Sequence, residues 1–188
     1  MNTTPKPRPC AHCKREFLPA RPMQAVCSQR CATRKVKADR DNKVKEERAK
    51  TRAQREALKT RGRLQAEAQE AFNAYIRYRD MGLPYIDCGQ PFEPGRPGGS
   101  VDAGNYLARS VAPNLRFHED NVHAQRKNCN RPGGTTRADF RAGLVARIGE
   151  ERVQALEADH TPRKYTQDDF RSVRDTYRAK LKELKEKT

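Results

Sequence analysis

The sequence predicts an α+β protein, mostly α, on three observations. Four cysteines, spaced Cys10-x2-Cys13 and Cys27-x3-Cys31, have the separation at which two tight turns present thiolates to one tetrahedral Zn²⁺. From Ala32 to Asp80 there is no proline and only one glycine, Gly62, while Lys, Arg, Glu, Gln and Ala dominate, which is the composition of a long helix. Beyond it, residues 101–107 and 114–118 read as short strands and 138–148 as an amphipathic helix, a ββα order with flanking helices.

Taken in order, residues 1–9 are Pro-rich and expected to be disordered. Residues 10–33 form the four-cysteine zinc module, with Phe17 as the apolar plug of a small hairpin. Four sulfur ligands leave no open position, so this Zn²⁺ is structural and supplies folding energy that so few apolar residues do not. Residues 34–66 are a basic helical linker. Between Arg34 and Arg63 there are 13 Lys/Arg against five Asp/Glu, half of the formal net charge of +16. Such a stretch has no face to bury and reads as a solvated spacer, or as a spacer that also touches phosphates through Arg48, Arg52 and Arg55. The character changes at Ala68, Phe72, Tyr75 and Ile76, whose helical spacing predicts packing onto the next unit, residues 67–188.

Gly82-Leu83-Pro84 ends this helix, and the Pro/Gly-rich run 91–100 is expected to bulge from a hairpin. Phe140, Leu144 and Ile148 repeat at four-residue spacing in a helix closed by Gly149, and a short helix follows over 150–158. Thr166 with Asp169 is an N-cap pattern for a C-terminal helix carrying the stripe Phe170, Val173, Tyr177, Leu181 and Leu184. That stripe packs on the preceding helices; a dimer seam is the weaker alternative.

Composition narrows the partners. Forty Lys+Arg against 24 Asp+Glu favour a polyanion, because cationic side chains on phosphates release condensed counterions. Nucleic acid, DNA in particular, leads. An anionic membrane is the competitor, but no run of 18 apolar residues and no signal-peptide core is present, so a cytoplasmic location and no membrane partner are expected. In a reducing compartment six cysteines read as metal ligands or buried thiols.

In a ββα-metal nuclease site a hairpin histidine deprotonates water and a neighbouring ligand holds a divalent cation, Mg²⁺ or Mn²⁺. Asp102 is placed to offer a carboxylate near the hairpin, and Asn121 to pin the turn before the helix through its amide. His123, Cys129 and Asn130 are placed at the helix entrance. Arg116, Arg126 and Lys127 supply cations in the same region.

DAGNY, LRF, NVHAQ, CN and RIG together resemble the NinG (Rap) family of phage recombination proteins, over nearly the whole chain. The resemblance implies an HNH-like nuclease domain in the C-terminal half. It also implies activity on branched or single-strand-containing DNA recombination intermediates as a structure-selective endonuclease in the host cytoplasm, alongside phage or host recombination proteins.

Against the family pattern, Asn105 stands where the general-base histidine is expected, and a carboxamide accepts no proton near neutral pH. Relatives with a second zinc use two CxxC pairs; here they read Tyr85-Ile86-Asp87-Cys88 and Arg126-Lys127-Asn128-Cys129. With Arg126 in place of a thiolate, Cys88 and Cys129 are expected to be buried neighbouring thiols, with Asp87 as a substitute ligand the less favoured alternative. His123 and His118 are the nearest replacements for the base, although a satisfied hydrogen bond or surface contact is the commoner use of such histidines. The alternative function is therefore a non-catalytic DNA-binding accessory. A weaker third is an RNA- or protein-binding zinc module.

Overall fold

A computed structural model describes residues 6–93 and 100–187. The chain divides into two compact units, 1–59 and 60–188. The architecture is α+β and mostly helical.

In the first unit, strands β1 (Arg8–Pro9) and β2 (Glu16–Phe17) pair antiparallel, Arg8 with Phe17. Part of the segment expected to be disordered is therefore ordered, because Arg8 pairs in the strand and its guanidinium donates to the Pro22 carbonyl at 2.8 Å. Residues 1–5 of that expectation lie outside the described residues. Helix α1 (Gln29–Ala57) begins where the Ser28 hydroxyl accepts from the Cys31 N–H. It buries only Cys31 along its length.

The long helix expected from 32 to 80 is two helices. Thr60 breaks it: the threonine takes extended backbone and its hydroxyl accepts from Arg63 N–H, capping α2 (Arg61–Arg79). A weak point near Gly62, the one glycine of the run, is expected from the sequence; the break falls just before it, and Gly62 itself lies inside the first turn of α2.

In the second unit, α2 packs against α5 (Gln167–Lys187). Leu64, Ala68, Phe72, Tyr75 and Ile76 meet Phe117, Val122, Tyr165, Phe170 and Tyr177 in one core, with Val173, Leu181 and Leu184 against it. This is the pairing that both apolar stripes predicted. A buried Arg174–Glu67 ion pair at 3.1 Å joins the two helices. Helices α3 (Arg137–Ile148) and α4 (Glu150–Ala158) build a second core of Phe140, Leu144, Val153 and Leu156 with Ile86, Tyr106, Leu107 and Leu115. Threonine and aspartate cap α3 and α5 reciprocally, Thr136 with Asp139 and Thr166 with Asp169.

Strands β3 (Val101–Asn105) and β4 (Val122–Arg126) pair antiparallel, Asp102 with Gln125 and Asn105 with Val122. The second strand is thus 122–126. The segment expected as a strand, 114–118, is a 3₁₀ turn (Pro113–Phe117), since Pro113 opens it and the His118 N–H closes on the Leu115 carbonyl. A bulge over 91–100 falls mostly outside the described residues. Gly143 on α3 lets the helix lie directly against the 86 turn: a Cβ there would sit 1.7 Å from the Ile86 carbonyl oxygen.

Candidate functional site

The four N-terminal cysteines converge. All four sulfurs lie within 4.8 Å of one another, with Cys13–Cys27 at 3.7 Å and Cys27–Cys31 at 3.6 Å. Two turns place them: Lys14 N–H closes the first on the Cys10 carbonyl, and the start of α1 supplies the second pair. Lys14 sits at φ 61°, the left-handed conformation that lets the turn close behind Cys13. Burial opposes ionisation of Cys10, yet backbone N–H groups of Cys13, Cys27 and His12 aimed at its sulfur hold the thiol down to about 6. Cys27 is pushed up to about 12, chiefly by sharing a proton with Cys31 and then with Cys10 and Cys13. Successive ionisation within one cluster is self-opposing, and a bound divalent cation removes that opposition. The cluster has the donor set to bind a metal such as zinc.

The expected catalytic residues lie on or beside one hairpin, but their side chains do not all share a face. Asp102 lies on β3 and accepts from the Asn130 amide at 3.2 Å. Asn105 is three positions along the same strand, and alternation puts it on the opposite face of the hairpin from Asp102. Asn105 Nδ2 is buried without a hydrogen-bond partner. Asn121 is fully buried; its amide accepts from Leu107 N–H at 2.8 Å and donates to the Leu107 and Leu115 carbonyls, so it pins the 107–115 segment.

His123 sits on β4, not at a helix entrance, because the hairpin's second strand starts at Val122. It is 3% exposed. The neutral tautomer protonated on Nε2 satisfies both ring contacts, donating to the Asp120 carbonyl at 3.1 Å and accepting from the Arg79 guanidinium at 3.0 Å. Burial lowers its pKa, against the opposing pull of Asp80, 3.5 Å away. Asp80 is itself buried and accepts from the Ala124 N–H and from Arg79, with Arg147 of α3 at 3.7 Å. Although burial opposes it, the neighbouring His123 ring, the Arg79 guanidinium and the Ala124 N–H hold the Asp80 carboxyl well below the usual carboxylate range. His118 is exposed between two 3₁₀ turns, its Nδ1 accepting from Asp120 N–H.

The cations fall into separate groups. Arg48, Arg52 and Arg55 line one shallow face of α1 with Val44, Thr51 and the carboxylates Glu47 and Glu56, and Lys59 just beyond the helix pairs with Glu56. In the second unit Arg116, expected to act with Arg126 and Lys127, lies instead beside Arg109 and Arg61. Arg116 Nε and Arg109 both donate to the Gln69 side-chain oxygen, at 2.9 and 3.4 Å. Arg61 lies over the Phe170 ring and Arg163 over Tyr165. Burial and then the charges of Arg109 and Arg61 lower the Arg116 pKa. Among the described residues these four arginines have no ion-pair partner; Asp169 feels Arg163 electrostatically but is engaged in the α5 cap. Three lone arginines scattered over 100 residues gave no pattern in the sequence. Arg126 and Lys127 stand apart, at the end of β4, where Lys127 N–H donates to the Ser100 carbonyl.

Among the described residues, Asp87, Cys88 and Cys129 form a second group of metal-ligand type, within 4.8 Å of one another. The two thiols are neighbours, as expected, but half-buried rather than buried, since each is flanked by an exposed residue, Gly89 after Cys88 and Asn128 and Asn130 around Cys129.

No helix among the described residues is long and apolar enough to cross a membrane. No solved structure matches the chain. The family described as Bacteriophage Lambda NinG protein matches residues 2–187. Protein ninG of Escherichia phage lambda is 32% identical over 203 residues, covering 98% of this chain and 97% of that one. Protein ninG of Salmonella phage P22 is 33% identical over 190 residues (93% and 91%), and that of Escherichia phage 933W 33% over 197 residues (96% and 95%). With a match that runs from the first cysteine turn to the end of α5, the chain belongs to the NinG family.

Proposed function

We propose that this protein binds branched or single-strand-containing DNA during phage recombination, with a Zn²⁺ held by Cys10, Cys13, Cys27 and Cys31. The observation that carries the reading is two sets of arginines that form no ion pair among the described residues: Arg48, Arg52 and Arg55 along α1, and Arg61, Arg109, Arg116 and Arg163 on the second unit. Guanidinium groups held close together, as Arg61 and Arg109 are to Arg116, repel one another, and a phosphate backbone relieves that repulsion. The ββα order of β3, β4 and α3 supports an HNH-like scaffold. Its chemistry is poorly served by the groups named for it, with Asn105 unable to act as a base and His123 closed off from water.

Competition between a four-way junction and linear duplex of equal length at fixed salt tests this. Tighter binding to the junction, with affinity falling steeply as salt rises, is expected; equal affinity for both or insensitivity to salt overturns it. A catalytic second reading has one favouring observation, the half-exposed Asp102 carboxylate held by the Asn130 amide. Asp102 would then hold Mg²⁺ or Mn²⁺, which polarises a phosphate when bound. Junction nicking with either ion that disappears in Asp102→Ala would establish it, and no nicking leaves binding alone.

A further inference from the structure

We propose that Asp87, Cys88 and Cys129 form a second Zn²⁺ site in this chain, with three protein ligands and a fourth position open. The proposal goes beyond DNA binding and does not depend on it. Its first support is convergence from two distant turns. Gly89 N–H closes one on the Tyr85 carbonyl, and Cys129 and Asn130 N–H close the other on the Arg126 carbonyl. Between them a carboxylate oxygen and two sulfurs come within 4.8 Å of one another.

The second support is independent. Asp87 is 7% exposed and its two oxygens are treated unequally. Oδ2 accepts from Gln125 Nε2 at 2.8 Å and from the Thr135 hydroxyl. Oδ1 is buried with no hydrogen-bond partner in the protein. A buried, charged oxygen left unpaired is costly, and a cation between Asp87 and the thiols supplies what the protein does not. Gln125 and Thr135 then act as outer-sphere groups that fix the carboxylate's orientation.

The surroundings are built for close approach. Thr135 N–H donates to the Cys129 carbonyl at 3.3 Å, and a Cβ on Gly134 would lie 2.2 Å from that oxygen, so the chain after Cys129 folds tightly back over it. Arg126, which as a replaced cysteine argues against a metal, takes a different meaning here. Two thiolates and a carboxylate around Zn²⁺ carry a net single negative charge, and the Arg126 cation, close enough to act on Cys129, offsets it. Binding releases the protons of Cys88 and Cys129 to solvent and forms two Zn–S bonds and one Zn–O bond, with no change of oxidation state.

Zinc content of the full chain, purified without chelator and under reducing conditions, is the test. Wild type is expected to hold about two zinc ions, and Asp87→Asn and Cys129→Ser about one each. The double variant Cys10→Ser, Cys27→Ser, which leaves the second unit untouched, is expected to keep about one. That variant loaded with Co²⁺ should show sulfur-to-cobalt charge-transfer absorption that Cys129→Ser removes. One zinc in wild type with none in the double variant overturns the site. So does a full complement in Asp87→Asn, or a Cys88–Cys129 disulfide in the reduced preparation. Should Asp87→Asn fail to fold, the double variant and its cobalt spectrum decide alone.

Discussion

The two units of this chain are held together by different forces. Among the described residues of 1–59 only Cys10, Pro19 and Cys31 are buried, so the fold there rests on four sulfurs, a two-residue strand pair and a helix that touches little else. Residues 60–188 bury two apolar clusters and close their helices with paired caps. A segment that spends its side chains on charge has little left to bury, and thiol convergence stands in for the missing core.

The largest effect that separates the units is removal of Cys10 or Cys27. Either change to serine should abolish amide-exchange protection in residues 8–31 while the melting of the second unit stays in place; a lowered second-unit transition would mean that the two are not held independently. Conversely, Phe72→Ala should cost the second unit about 3–5 kcal/mol, as for a large aromatic removed from a core, and leave the metal content of the first unchanged. Denaturant unfolding with metal analysis on the same sample reads both.

Acid gives a third, smaller separation. Because burial holds His123 below the ordinary value of about 6.5, the unfolded chain takes up its proton first as pH falls, and the folded one resists. Stability of the second unit should therefore decline on acidification below about pH 6.5, down to the lower folded pKa, and be insensitive above it. His123→Gln should flatten that slope in urea titrations at several pH values; an unchanged slope assigns it to other groups. The smallest effect is at a cap. Thr136→Ala should cost about 1 kcal/mol and fray the start of α3 without touching either core, visible as faster amide exchange at residues 137–140.

Periodic features were legible in the sequence. The stripes on α2 and α5 recur every three or four residues, and each found the other; the cysteine spacing fixed which sulfurs meet. Features without a period were not. Thr60 interrupts a run whose composition is helical throughout, because a side-chain cap outweighs propensity at one residue. The 114–118 segment has strand-like residues, but Pro113 and the Asn121 amide bind it into a turn. His123 lay near the expected site in sequence, and only the pairing of β4 shows its ring turned inward against Arg79 and Asp80. Arg61, Arg109, Arg116 and Arg163 come from three segments that nothing short of the fold brings together.

Asp80 touches both halves of the second unit at once. It follows α2, which belongs to the first cluster, takes the Ala124 N–H on the free edge of β4, and lies 3.7 Å from Arg147 on α3, which belongs to the second. One carboxylate thus rivets two hydrophobic clusters that share no side chain, so neither half melts without exposing a charged group that the other had satisfied. The second unit should accordingly lose both clusters in a single cooperative transition, with fluorescence of the tyrosines in each falling at the same temperature.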